Sequence, residues 1–169
     1  MGDDVQFRKA RPGDAGTMLS VKRAAILGIE DDRYDEDQLA AWAPDGGNLG
    51  AFEASPSADQ YEIRVATIDD TVVGYGVLHL PEERLDALFV SPFYAGAGIA
   101  TTLLKQLETA AQFAGIERIE LTSSLTAVGF YERHGYERTG TTDREIEGVT
   151  VPFVAMARRL APEDPQNDG

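Results

Sequence analysis

Hydrophobic and polar positions follow two periods along this chain, and the changes of period mark its predicted elements. Alternation of period two, rich in β-branched residues, predicts strands over 7–10, 61–68, 72–80, 85–90, 116–123, 136–142 and 149–160. Apolar residues three and four positions apart predict helices through 18–27, at 37–42, from 99 to the residue before Gly115, and at 127–134. The order β-α-α-β-β-β-α-β-α-β-β, with short turns between the central strands, predicts one mixed α/β layer.

The chain is long enough for one domain with a single core. It has 169 residues, of which 43% are hydrophobic. We therefore expect one domain over 1–160. Residues 161–169 are rich in proline and in acidic and amide side chains, which predicts a disordered acidic tail.

The composition is strongly acidic and contains no cysteine. The formal net charge of −14 argues against a nucleic-acid partner, because a phosphate backbone selects clustered Lys and Arg. The absence of cysteine excludes disulfides and Cys-ligated zinc. Because His79 and His134 are far apart in sequence, we expect no metal site.

Charge and hydropathy also suggest where the protein works. No apolar stretch approaches the ~20 residues of a membrane span, and the N-terminus lacks the basic start of a secretory signal. We therefore expect a cytoplasmic protein without a membrane partner. Among 15 basic residues only Lys9, Lys22 and Lys105 are lysines. Such a surface resembles that of proteins from salt-accumulating organisms, where dissolved ions screen self-repulsion, so we also predict a halophilic origin.

A Gly-x-Gly segment joins the predicted strand 85–90 to the helix that follows. Glycines let the main chain approach an anion, and the first helical N–H groups have no intrahelical partner. No acidic residue falls between 87 and 107, where even spreading would place about four. We predict a phosphate-binding loop, with a plain strand-to-helix turn as the alternative, because Gly-x-Gly alone is weak evidence. The amides concerned belong to Ala95, Gly96, Ala97, Gly98, Ile99, Ala100 and Thr101.

Two motifs resemble those of the GNAT superfamily of acetyl-CoA-dependent N-acetyltransferases, and the resemblance extends from 7 to 160. The family's acyl-CoA loop is Arg/Gln-x-x-Gly-x-Gly/Ala after a strand ending in Val-x-Pro, matched here by Val90, Pro92, Gly98 and Ala100. Its later helix is Asn-x-x-Ala-x-x-Phe-Tyr-x-x-x-Gly-Phe, matched here by Ser124, Ala127, Phe130, Tyr131, Gly135 and Tyr136. The resemblance implies an α/β, GNAT-like fold with a central, mostly antiparallel mixed sheet of about six or seven strands and about four flanking helices. It also implies an acyltransferase with acetyl-CoA as co-substrate.

Two positions depart from the family pattern. Ala95 stands where the loop usually has Arg or Gln, which removes a side-chain donor but leaves the backbone amide. We therefore expect pyrophosphate binding to survive. Ser124 replaces an Asn whose side chain often helps to hold the pantetheine arm of the coenzyme.

The resemblance also implies roles in acetyl transfer. Tyr131 would lie beside the coenzyme sulfur and donate its phenolic proton to the departing thiolate, the alternative being an aromatic pair with Phe130 that only packs the helix. The main chain of Leu88 and Val90 would pair with pantetheine as an added strand does. The backbone N–H of Phe89 or Val90 would polarise the acetyl carbonyl.

Asp86 is the predicted general base. Alternation along 85–90 puts it on the same face as Leu88 and Val90, near the expected acetyl group. Glu82, Glu83 and His79 are alternatives, and Asp86 itself has a second interpretation as a solvated surface carboxylate.

The acceptor is expected to be a primary amine of a small molecule or peptide. Tyr34, Trp42 and Tyr75 either wall its site or pack the core. A non-catalytic acyl-CoA-binding module is the alternative function, a nucleotide-binding domain is disfavoured because its glycine motifs are missing, and the protein is expected to be a monomer or homodimer. Four acidic residues between the first two helices would either favour a cationic amine or serve as salt-adapted surface charge: Glu30, Asp31, Asp32 and Asp35.

Overall fold

The computed structural model describes residues 4–44 and 60–160, and within these ranges the chain forms one seven-stranded sheet. The strands are β1 (Gln6–Lys9), β2 (Tyr61–Ile68), β3 (Thr71–His79), β4 (Arg84–Val90), β5 (Arg118–Ser123), β6 (Glu137–Ile146) and β7 (Val149–Arg159). Their order across the sheet is β1-β2-β3-β4-β5-β7-β6. The β4–β5 pair is parallel, and the other neighbours are antiparallel.

The described residues also form four α-helices, whose ends follow from local sequence. One begins at a capping box, in which the Gln38 N–H donates to Asp35 Oδ1 at 2.8 Å and the Asp35 N–H donates to Gln38 Oε1 at 2.9 Å. Another ends in a Schellman motif, with Gly115 at φ +83° and the Ile116 N–H donating to Ala111 O at 2.9 Å. The helices are α1 (Ala15–Leu27), α2 (Glu36–Trp42), α3 (Ile99–Phe113) and α4 (Val128–Arg133).

Helices cover both faces of the sheet. On one face Met18 of α1 packs in a cluster with Tyr75 and Val77 of β3. On the other face Leu107 of α3 packs in a cluster with Leu78 of β3. Both faces of β3 are therefore buried, and β4 beside it lies near the middle of the molecule.

The predicted order of elements is confirmed, and the differences lie at element ends. The apolar alternation stops at 142, whereas β6 continues to Ile146. Because β6 is an edge strand with mostly exposed side chains, its pairing with β7 does not require apolar alternation. The predicted tail at 161–169 lies outside the described residues. Within the described ranges, no helix has the length and apolar character needed to cross a bilayer.

Candidate active site

A cleft opens where β4 and β5 part. The two strands pair only at Arg84 with Glu120 and at Leu85 with Leu121, and no pairing follows beyond these two positions. The cleft between them, called here the β4–β5 cleft, has a volume of about 460 Å³. Its described lining includes Leu85, Asp86, Ala87, Leu88 and Phe89 on one side and Leu121, Thr122, Ser123, Ser124, Ala127 and Tyr131 on the other.

A β-bulge at Asp86 interrupts the alternation of β4. Leu78 pairs with Leu85 and Val77 pairs with Ala87, so Asp86 is an extra residue on its strand. Leu85 and Leu88 consequently pack in the same core cluster although they are three residues apart. Strict alternation, the reason for placing Asp86 with Leu88 and Val90, is therefore wrong at this residue. Asp86 still borders the cleft.

The Asp86 carboxylate has a cationic neighbour on its own strand. It accepts a hydrogen bond from Arg84 Nε at 2.5 Å, and its side chain is 11% exposed. The hydrogen bond to Asp86 raises the pKa of Arg84. Of the residues predicted as possible bases, Asp86 is the one that borders the cleft in the described part of the chain.

The backbone of β4 presents its amides to the cleft at every second residue. The Ser91 N–H donates to Val73 O of β3 at 2.8 Å. Because successive backbone N–H groups in a strand point to opposite sides, the Phe89 N–H also points toward β3, and those of Leu88 and Val90 point away from β3, to the side on which β4 and β5 part. The backbone N–H of Phe89 or of Val90 was predicted to polarise the acetyl carbonyl. Of these two groups, the Val90 N–H has the required direction.

The glycine loop follows directly after β4. Gly96 and Gly98 have φ values of +82° and +80°, in the left-handed region that glycine adopts without strain. The first hydrogen bond of α3 runs from the Thr102 N–H to Gly98 O at 3.1 Å, so the amides from Gly96 to Thr101 precede the intrahelical ladder. The Ala95 N–H, which was predicted to belong to the same set of donors, instead donates to Pro92 O at 3.3 Å and closes the short turn after β4. The first turn of α3 carries no acidic residue. This arrangement is typical of an anion-binding helix start.

Residues of the loop have different exposures. The side chain of Ile99 is buried and fixes the start of α3 against the sheet. Thr101 Oγ1 lies 3.2 Å from His134 Nε2, which joins the first turn of α3 to the end of α4. The motif did not predict this contact. Ala95, Gly96, Ala97 and Gly98 are exposed, and Ala100 and Thr101 are half-buried.

Tyr131 is held in an apolar part of the cleft wall. It is 7% exposed, and its ring lies 5.2 Å from that of Phe130 and 5.6 Å from that of Tyr136. Burial raises the pKa of Tyr131 well above its usual value. The phenol therefore keeps its proton at neutral pH.

Ser124 stands at the end of β5, where the chain turns toward α4. Its Oγ accepts a hydrogen bond from the Ala127 N–H at 3.2 Å and lies 3.0 Å from Thr126 Oγ1. Ser124 also borders the cleft. It thus shapes the turn before α4 on the cleft side opposite β4.

Three aromatic rings form a continuous surface, called here the aromatic wall, that consists of Phe89, Trp42 and Phe153. The Trp42 ring centroid lies 6.4 Å from Phe89 and 4.9 Å from Phe153, both edge-to-face. Of the predicted aromatic residues, Trp42 and Tyr75 border the cleft. Tyr34 lies behind Trp42, and its hydroxyl donates to Pro152 O at 2.8 Å and accepts from the Leu125 N–H at 3.0 Å.

The four acidic residues between α1 and α2 do not border the cleft in the described structure. Asp31 pairs with Arg33, and hydrogen bonds from Arg33 lower the pKa of Asp31 to about 2. Asp35 caps α2. The cleft instead contains Lys22 of α1 and Arg144 of β6, which the motifs did not indicate because neither residue is part of a motif.

Known proteins match this chain in sequence and in structure. The acetyltransferase (GNAT) domain family matches residues 30–160. The uncharacterized N-acetyltransferase YafP of Escherichia coli is 27% identical over 147 residues, covering 87% of this chain and 91% of that protein. A GCN5-related N-acetyltransferase from Rhodopseudomonas palustris superposes with a TM-score of 0.82 at 27% identity, over 95% of this chain and 99% of that chain. PaiA N-acetyltransferase from Thermoplasma acidophilum, solved with coenzyme A, superposes with a TM-score of 0.73 at 20% identity, over 92% of this chain and 99% of that chain.

The fold and the divided β4–β5 pair define the class of protein, and the family match covers well over half of the chain. This chain belongs to the GNAT acetyltransferase family. The predicted fold class is thereby confirmed, and acetyl-CoA is the co-substrate that the family assignment identifies.

Proposed function

We propose that this protein transfers the acetyl group of acetyl-CoA directly to a primary amine bound in the β4–β5 cleft. The observation that carries this proposal is the parting of β4 from β5 after Leu85, which leaves backbone groups of β4 facing the cleft. The glycine loop continues the same strand, and Tyr131 borders the other side. One strand thus connects a phosphate-binding segment to the place of reaction.

Main-chain groups carry most of the proposed coenzyme binding. The amides of the loop from Gly96 to Thr101 hold the diphosphate, since several amides together are needed where one helix end contributes only about 0.3–1 kcal/mol. Leu88 and Val90 pair with the pantetheine arm as a neighbouring strand would. Ser124 lies across the cleft from them. The Val90 N–H donates to the thioester oxygen as negative charge develops there.

The proposed reaction needs one proton donor and one proton acceptor. The amine nitrogen attacks the thioester carbonyl, the C–N bond forms, and the C–S bond breaks with its electron pair on sulfur. Tyr131 donates its proton to that thiolate. A lysine-like amine is only about one part in a thousand neutral near pH 7, so a proton acceptor helps, and Asp86 takes the proton that the nitrogen loses.

Tyr131→Phe tests the proton donor. We expect turnover with a good amine substrate to fall by about 10²–10⁴, because general acid catalysis contributes an effect of that size. The measurement is thiol release from acetyl-CoA, with coenzyme affinity determined by calorimetry on the same variant. Tyr94→Phe makes the same chemical change outside the cleft lining and should leave the rate unchanged. Undiminished turnover in Tyr131→Phe would show that Tyr131 is not the proton donor.

The same assay separates the enzyme from a binding module. If the protein binds the coenzyme but releases no thiol with any of the amines tested, the non-catalytic alternative is indicated. Calorimetry that detects no coenzyme binding would contradict both.

A further inference from the structure

A buried carboxylate lies in the middle of α3, outside the lining of the β4–β5 cleft. Glu108 is 8% exposed, and burying a charge is costly unless partners compensate it. The Tyr136 hydroxyl donates to Glu108 Oε2 at 2.8 Å, and Arg158 Nη1 of β7 lies 2.9 Å from the same oxygen. Burial and the charge of Glu108 raise the pKa of Tyr136, so this hydroxyl keeps its proton and acts as the donor. The carboxylate therefore joins α3 to β7 and to the residue before β6.

Tyr136 is in direct contact with the proposed proton donor. Its ring centroid lies 5.6 Å from that of Tyr131, at an interplanar angle of 69°, and both rings belong to one core cluster. The Tyr136 N–H also donates to Tyr131 O at 3.0 Å, across a turn in which Gly135 has a φ of +92°. Within the described residues the Tyr131 hydroxyl makes no hydrogen bond of its own. Its position therefore depends on the packing of the ring, for which Tyr136 forms one side.

The helix α3 is joined to this turn at two places. Thr101 Oγ1 lies 3.2 Å from His134 Nε2, and Glu108 holds Tyr136, so the residues on either side of Gly135 both contact α3. Thr101 and Glu108 are seven residues apart, which is about two helical turns and places them on one side of α3. The helix begins at the glycine loop, to which the proposed function assigns the coenzyme diphosphate. Polar contacts of α3 thus fix the spacing between that loop and the proton donor.

We infer that Glu108 and Tyr136 are positioning residues for Tyr131, which hold its hydroxyl at the distance from the glycine loop that the coenzyme sulfur requires. This inference rests on the proposed function, because it takes Tyr131 as the proton donor. Diphosphate and sulfur belong to one coenzyme molecule, so the loop that holds the first limits where the second lies. A displacement of about 1 Å at a reacting group can lower a rate by about 10²-fold. The Tyr136 hydroxyl is a feature of this chain, since the family motif has Phe at this position.

Tyr136→Phe tests the inference, because it removes one hydroxyl and keeps the ring. We expect the rate constant of acetyl transfer in a single turnover to fall by about three- to tenfold. The dissociation constant of coenzyme A, measured by calorimetry, should change by less than about twofold. Enzyme is in excess over acetyl-CoA, and the acceptor is whichever of L-alanine, spermidine and a lysine-containing peptide gives the fastest thiol release. Ile116→Val, in the same core cluster but outside the cleft lining, is the control and should leave the rate within about twofold.

A double-mutant cycle separates positioning from a general effect on the structure. In the Tyr131→Phe background no hydroxyl is left to position, so Tyr136→Phe should then change the rate by less than about twofold. An equal fall in both backgrounds, or no fall when Tyr131 is present, would overturn the inference while the proposed acetyl transfer stands. If Tyr131→Phe alone has undiminished turnover, or if no acceptor releases thiol, the proton-donor role and this inference are both wrong.

Two variants of Glu108 test the other positioning residue. A carboxamide keeps an oxygen that can accept from the Tyr136 hydroxyl, whereas alanine removes it. We therefore expect Glu108→Gln to stay within about twofold of the original rate, and Glu108→Ala to lose about as much as Tyr136→Phe. Circular dichroism shows whether each variant is folded. A folded alanine variant that loses no more than the glutamine variant would contradict the role of Glu108.

Discussion

Gly76 of β3 leaves room for α3 to pack against the sheet. A Cβ atom at this position would lie 2.6 Å from Leu107 Cδ1 and 3.3 Å from Leu88 Cδ1. Leu107 is completely buried, so its side chain has little room to move away. The absence of a side chain at Gly76 is therefore a packing requirement of the strand next to the cleft.

Gly76→Ala should accordingly destabilise the protein. We expect the free energy of unfolding to fall by about 1–3 kcal/mol, the usual cost of an added methyl group in a packed core. Urea denaturation with an unchanged m-value measures the effect. Gly140→Ala on β6 is the control, because a Cβ there meets nothing within 4 Å and stability should be unchanged or slightly higher. Equal stability of the two variants would contradict the packing argument.

Residue-level prediction from sequence depended on whether the cooperating residues belong to one motif. Tyr131 and Ser124 belong to one continuous motif, and both border the cleft as that motif implies. Lys22 and Arg144 reach the same cleft from α1 and β6, and only the packed sheet brings these elements together. The predicted face of Asp86 on β4 was wrong because of a β-bulge at this residue. The alternation of apolar and polar residues along the sequence does not reveal such a bulge.

At the scale of elements, a charged pair joins β1 to the start of α1. Arg8 Nη1 and Nη2 donate to Asp14 Oδ2 and Oδ1 at 2.8 and 3.1 Å, and the Arg11 N–H donates to Asp14 Oδ2 at 2.7 Å. Burial alone would raise the pKa of Asp14, but these hydrogen bonds outweigh it and lower the pKa. A carboxyl with a lowered pKa in the folded state stabilises the protein above its unfolded pKa and loses this effect as pH falls through the folded pKa.

Asp14→Asn should therefore have a pH-dependent cost. At pH 7 we expect a loss of about 1 kcal/mol, because the pair is partly exposed to solvent. The difference from the original protein should shrink as pH falls below about 4, because the unfolded chain then binds a proton at Asp14, and it should vanish below the lowered pKa of the folded state. Thermal unfolding at pH 7 and pH 3 measures both values. Asp32→Asn, an exposed aspartate in the turn before α2, is the control. A cost that is independent of pH would contradict this interpretation of Asp14.

The elements that build the site differ in the extent to which the local sequence determines their structure. The glycine loop and α3 are determined locally, by left-handed glycines, a buried stripe and a Schellman end. The length of β6 is determined by its partner, because the register with β7 continues to Ile146 although the exposed side chains show no alternation. The divergence of β4 from β5 likewise depends on both strands, because their pairing ends after two positions. The sequence of either strand alone does not show where this pairing ends.

At the scale of the whole molecule, the net charge of −14 should make the stability of the protein depend on the salt concentration of the solvent. Like charges on a compact surface repel one another, and unfolding relieves the repulsion. Several carboxylates are paired with arginine, as in Glu62 with Arg64 and Glu132 with Arg138, but the acidic residues outnumber the basic ones almost twofold. The pairs therefore leave a net negative charge whose self-repulsion dissolved ions would screen.

Salt should consequently stabilise this protein more than an ordinary one. The Debye length is about 30 Å at 0.01 M and about 3 Å at 1 M ionic strength, so repulsion across the surface is nearly unscreened in dilute buffer. We expect Tm to rise by more than about 4 °C between these conditions in KCl, which corresponds to more than about 1 kcal/mol for a chain of this size. Sucrose at matched osmolality is the control, because it favours burial without screening charge. If stability and acetyl transfer are both fully retained at 0.01 M, then the charge serves another purpose and the predicted halophilic origin is wrong.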